Sequence, residues 1–340
     1  MSKIAFASAQ EMLRQLKLTV GPYFQWALSA RKKYIELRLR QDQEVRGIYI
    51  RATDKLAKEI RSLKRQGYGS QMNIRYLTAL EQSLRDNGIA DSLMKVMPVY
   101  LGRAIEAGSS YSYEVTLSQI SRTKLAKEPV QKAFARANKQ AVETCWARTH
   151  NGLHLSDRIW KHDQKYRMAM SEIIQDGVAT GEDPVATARQ LEQYVRRGKK
   201  TLAAEYPEMM ERMGNRIPQD ISYEALRLVR TETAAAFGEG TIAAASVSPS
   251  YTGMRWLLSK NSDPCHICKG LAEANHGLGK GVYPPSDEPP MPAHPNCMCT
   301  LVSVHEDTDA FIDRLNSWIK DPASQPDLEN WYQNVYSKVA

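Results

Sequence analysis

Five residues of this 340-residue chain have types and spacing that could do chemistry: Cys265, Cys268, His294, Cys297 and Cys299. Cys265-x2-Cys268 has the spacing with which a tight turn aims two thiolates at one ion. His294-x2-Cys297-x-Cys299 supplies three more donors about 25 residues later. Zinc takes four S or N ligands in a tetrahedron, so four of these five would close a structural site. The stretch between the arms is rich in turn residues, and loop-closure entropy grows only logarithmically with length. The donors rank in the order Cys265, Cys268, His294, Cys297, Cys299, with one of the last three outside the shell. His266 would point away from its neighbours in such a knuckle. Asp263, two residues before the first cysteine, is placed for an Asx-type bond supporting the turn. A disulfide, or buried apolar cysteines, is the competing reading; Cys145 beside Trp146 is expected to be simply buried.

Reactive alternatives fare worse on the same residues. The segment PCHIC matches half of the zinc nucleobase-deaminase signature, but none of His150, His154 and His162 upstream is followed by x-Glu. No His-His or His-Asn pair sits at a strand-to-helix turn, as an HNH-type nuclease would need. Arg230-Thr231-Glu232 tempts a transferase or hydrolase reading, yet residues two apart on a helix do not face one another. Arg230 is expected to meet the loop beside the zinc, and Glu232 another helix. Gly238-Glu239-Gly240 reads as a kink or close-packing site rather than a phosphate cradle.

These residues need elements to position them. Mean hydropathy of −0.49, 42% hydrophobic and 25% charged residues describe a globular chain. The start, MSKIAFASAQEMLRQ, is too short in apolar residues for a signal peptide. The uncharged stretch 240–254 is too short and polar to span a bilayer. A cytoplasmic site of synthesis without membrane contact is expected, which favours metal over disulfide. Residues 1–126 carry 21 Lys and Arg against 11 Asp and Glu, and the rest is nearly neutral. A basic first half suits an acidic partner such as nucleic acid, contacted at its phosphates without sequence reading.

Periodicity predicts helices over 5–20, 23–65, 71–87, 90–108, 112–121 and 128–148, with turns at Gly21-Pro22 and 67–70. Ser156-Asp157 can cap a helix to about Ala179. Gly181 ends that helix, Asp183 caps the next, and Pro184 takes its first position. Asp220 or Ser222 caps another helix to about residue 246. The period then changes: 254–259 and 299–304 read as strands, 260–298 as loop, and the tail as two short amphipathic segments. The fold class is mainly α, a long-helix N-terminal region followed by a small C-terminal α+β module with a zinc knuckle. The expected divisions are a basic all-helical region 1–150, a helical lead-in 151–249, the zinc-binding module 250–306 and a helical tail 307–340. Two strands alone are marginal in water, so their pairing is expected to depend on the metal.

LVRTET (228–233), YTGMRWLLSKNSDPCHIC (251–268) and PAHPNCMCTL (292–301) together resemble the Mu F-like minor head proteins of tailed phages, also called phage head morphogenesis proteins. HLSDRIWK (154–161) and IIQDGVATGEDPVATARQL (173–191) resemble the helical part leading into that domain. The resemblance covers roughly residues 154–304, and Met298 stands where the family usually has Arg between the two cysteines. It implies a late, non-catalytic minor capsid component in the virion. Such a protein binds the portal protein, and the major capsid or scaffolding protein, inside the head near the packaged DNA. The alternatives are a zinc-ribbon nucleic-acid-binding protein outside any capsid, and an enzyme using Arg230 and Glu232.

Overall fold

Glycine, proline and capping carboxylates cut this sequence into helices, and most of the observed boundaries fall on them. The computed structural model describes residues 3–259 and 265–339, with no statement attaching to the side chains of 3–9. It is mainly α, as the periodicity predicts. Helix α1 (Lys3–Val20) ends at Gly21-Pro22, and α2 (Phe24–Arg65) then runs 42 residues without a proline. The next helices are α3 (Ile74–Arg85), α4 (Ile89–Ile120), α5 (Lys127–Ala147) and α6 (Leu155–Thr180). Gly181 closes α6 in the left-handed conformation. Asp183 then accepts the Val185 N–H at 2.6 Å to open α7 (Pro184–Arg197). Two short helices, α8 (Lys199–Glu205) and α9 (Pro207–Met213), precede α10 (Ile221–Val247), which Asp220 caps through the Ser222 and Tyr223 amides.

Several boundaries differ from expectation for visible reasons. The two helices expected over 90–108 and 112–121 are one. Ser109 and Ser110 turn their hydroxyls back onto the Glu106 and Ala107 carbonyls, so these residues bond within the helix instead of breaking it. The cap of α6 is His154 rather than Ser156-Asp157, with the Asp157 carboxylate accepting the His154 N–H at 3.0 Å.

Strand β1 (Tyr251–Leu257) begins and ends earlier than the expected 254–259. The expected loop contains α11 (His266–Glu273) and β2 (Val282–Tyr283). Strand β3 (Thr300–His305) completes an antiparallel sheet of order β2-β1-β3, with Trp256 opposite Leu301 and Arg255 opposite Val302. The amphipathic tail forms α12 (Thr308–Lys320) and α13 (Pro326–Trp331).

The chain forms two compact units, each discontinuous: Met1–Arg38, Val99–Arg148 and Arg230–Ala340 in the first, Leu39–Pro98 and Thr149–Val229 in the second. This differs from the four consecutive blocks expected, because α2, α4 and α10 each contribute to both units. It also redistributes the charge. Each unit carries 23 Lys and Arg against 19 Asp and Glu, so the basic first half does not become a basic unit.

In the first unit, Leu257 and Val302 of the sheet pack on Leu16, Val20, Ala27, Ala30, Tyr111 and Val115. The tail belongs to the same unit's second core: Phe311, Leu315, Trp318 and Trp331 pack with Ile120, Phe134 and Ala244. Where α4 crosses α10, a Cβ on Gly108 would lie 2.2 Å from the Phe237 carbonyl oxygen, and one on Gly240 would lie 2.4 Å from that of Ile105. Gly240 is therefore a close-packing site. The second unit is built around fully buried Tyr49, Tyr76, Tyr166 and Tyr194, with the Thr53 and Tyr166 hydroxyls 3.0 Å apart and Arg61 paired to Glu192 at 2.7 Å.

Candidate metal centre

The helix α11 builds the first half of the site. Cys265 occupies its N-cap position and Cys268 lies in its first turn. Hydrogen bonds from the Cys268 and Ile267 amides hold the Cys265 thiol below its ordinary pKa. The second half is the chain that turns through His294 and Cys297 and enters β3 after Cys299; the Cys297 N–H donates to the His294 carbonyl at 3.1 Å.

The five donors form two groups of three that share Cys268. One is Cys265, Cys268 and His294; the other is Cys268, Cys297 and Cys299. Within each group the ligand atoms lie within 4.8 Å of one another. Cys268 Sγ is 3.6 Å from Cys297 Sγ and 3.2 Å from His294 Nε2. Tetrahedral zinc would set these edges at about 3.8 Å and about 3.5 Å, from bond lengths near 2.3 Å and 2.0 Å. All five cysteines are free thiols, so no disulfide competes, and Cys145 is buried as expected.

The surroundings suit a cation. His294 Nδ1 lies 3.0 Å from the Pro295 carbonyl, an arrangement that keeps the proton on Nδ1 and leaves the Nε2 lone pair to face Cys268. The Ser259 N–H donates to Cys299 Sγ at 3.4 Å. The thiols oppose one another's ionisation. Cys297, favoured by bonds from Cys299, is pushed down to about 5, whereas burial and the Cys297 charge push Cys268 up to about 12. Cys299 is raised, chiefly by its bond to Cys297. A divalent cation would relieve that repulsion and let all of them ionise. Cys268, Cys297 and Cys299 are buried, and Cys265 and His294 are partly exposed. This Cys/His cluster could hold a metal ion.

Around it, the Thr231 hydroxyl of α10 accepts the Asn296 N–H at 3.1 Å, which ties the Arg-Thr-Glu segment to the cysteine loop. Glu232 is 2% exposed and pairs with Arg148 at the end of α5 at 2.8 Å, the inter-helix contact anticipated for it. Arg230 lies in the same turn, partly buried. Asp263 lies outside the described residues. His266 is exposed and belongs to neither donor group.

Two neighbours were not anticipated. Arg31 Nη2 reaches the Met298 carbonyl oxygen at 3.4 Å, and Arg38 Nη1 lies 3.0 Å from the Met298 sulfur. Both come from the basic first half, whose charge predicts an acidic partner such as nucleic acid. Their i, i+7 spacing around buried Tyr34 was the available signal, because it places them on the buried side of α2.

A metal at this cluster would not hold the strands together alone, since their inner face is already covered by α1, α2 and α4. No known protein family, curated protein or solved structure matches this chain. Among the described residues, no helix is long and apolar enough to cross a membrane.

Proposed function

We propose that the chain is a minor head protein of a tailed phage, acting in head morphogenesis at the portal, and that its Cys/His cluster is a structural zinc centre. One observation carries the reading. The three segments bearing the resemblance meet in one place: Cys265-x2-Cys268 faces the His294–Cys299 arm, and Asn296 of that arm is bonded to Thr231 of the Arg-Thr-Glu helix. Soft thiolates with one imidazole, at tetrahedral edge lengths, favour zinc over harder cations. The donors outnumber the four positions of a zinc ion, which suits a closed structural site rather than one with an open position for substrate. Glu232 of the same helix is buried and engaged by Arg148, which suits a structural contact.

In this role the protein sits inside the capsid at the portal vertex. Its partners are the portal protein, the major capsid or scaffolding protein, and duplex DNA contacted without sequence preference. The net charge of +8 supports the last of these. Co-expression with the portal protein of the same phage, followed by native mass measurement, tests the assignment. The reading predicts a portal ring carrying a few copies of this chain. A chain that leaves the ring bare yet binds nucleic acid by itself would instead be a zinc-ribbon nucleic-acid-binding protein acting outside a capsid.

A further inference from the structure

We infer that Arg31 and Arg38 of α2 are the counter-ions of the metal–thiolate centre, so that loading the metal binds the start of α2 to the arm carrying Cys297 and Cys299. The inference rests on the metal-centre reading above and concerns residues that are not ligands. Arg38 is 8% exposed, and the Nε and Nη1 atoms of Arg31 are inaccessible and have no hydrogen-bond partner. Among the described residues neither guanidinium has an Asp or Glu within ion-pair distance, although elsewhere in the chain buried carboxylates such as Glu232 and Asp176 do have arginine partners. A buried charge without a partner is costly, and guanidinium cannot escape the cost by losing its proton.

Arg31 Nη2 also lies 3.8 Å from the Met12 sulfur, but what both arginines approach is Met298, the residue between Cys297 and Cys299, and those two cysteines are at most 4% exposed. Tyr34 stands between the arginines on the same helix face, with its hydroxyl 3.4 Å from Arg38 Nη1 and its pKa raised chiefly by burial. It therefore supplies no negative charge. Among the described residues, the thiols are the remaining source. Uncharged, they do nothing for the arginines; bound to a divalent cation as thiolates, they do. Three thiolates and an imidazole around a divalent ion leave one negative charge, and four thiolates leave two. Either set makes an anion near two cations, and because Arg38, Cys268, Cys297 and Cys299 are buried, the attraction is less screened than between surface charges.

The test is competition for zinc against a chromophoric chelator, using the full chain and the separate variants Arg31→Met, Arg38→Met, Arg31→Lys and Arg38→Lys. The methionine variants keep the bulk and lose the charge, and should bind zinc roughly ten- to a hundredfold more weakly, the usual cost of losing an outer partner of a metal site. The lysine variants should stay close to the parent. Cobalt substitution should give an unchanged thiolate charge-transfer band per bound ion, showing that the ligands themselves are intact. Methionine variants that bind as tightly as the parent would overturn the inference, as would lysine variants weakened to the same degree. A parent chain that takes up no metal would overturn the metal-centre reading itself, and this one with it.

Discussion

His305, at the end of β3, has Nδ1 3.0 Å from the Ser250 hydroxyl and Nε2 3.0 Å from that of Ser303, with the Tyr111 ring packed edge-on. Gln119 Oε1 accepts from the Ser250 hydroxyl, and Ser303 bonds to Ser112, so the polar partners of this ring are neutral. Burial without a carboxylate pushes its pKa down to about 3. The folded value lies below the unfolded one, so the unfolded chain takes up its proton first as pH falls. Stability is therefore full above about 6.5, and declines between about 6.5 and about 3. His162, lowered to about 4 chiefly by burial, adds to the same slope. Denaturant unfolding at a series of pH values should show that decline, and His305→Asn should make it shallower while costing stability at pH 7.5. A variant slope equal to that of the parent would show that this ring does not titrate on unfolding.

At the scale of elements, the α4–α10 crossing depends on two missing side chains. Gly240→Ala forces a methyl group onto the Ile105 backbone, which cannot give way as a flexible side chain would. It should destabilise by about 1–3 kcal/mol in denaturant unfolding. Gly102→Ala, in the same α4 but with open space at the added carbon, should be neutral or stabilising by up to about 1 kcal/mol. Equal effects at the two positions would show that the crossing tolerates separation. The capped helices were legible in the sequence because Gly181, Asp183, Pro184 and Asp220 act on their own backbone. The continuity of α4 was not, because Ser109 and Ser110 bond within a helix as readily as they break one. Helix α11 and strand β2 were hidden in a proline-rich stretch by their eight- and two-residue lengths. The donor cluster was legible as spacing. Its two-group arrangement around Cys268 was not, and neither were its arginine neighbours, which lie about 260 residues away along the chain. Linear spacing carries no information about what a distant helix brings.

On the scale of the whole molecule, the Cys/His cluster, with a metal bound, would be one of three supports of the first unit, alongside the sheet packed on Leu16, Val20 and Ala27 and the tail packed on Phe134 and Ile120. Metal loss should therefore free the segment of α11 and the His294–Cys299 arm and leave most of the helical structure in place. The direct measurement is native mass spectrometry of freshly purified, reduced protein, read beside Cys268→Ser, which removes the donor common to both groups. The parent chain should carry about one zinc and Cys268→Ser none, with a protease-sensitive 265–299 segment in that variant and helical circular dichroism close to the parent's. Well under half an equivalent of metal in the parent, with 265–299 still protected, would contradict the metal-centre reading.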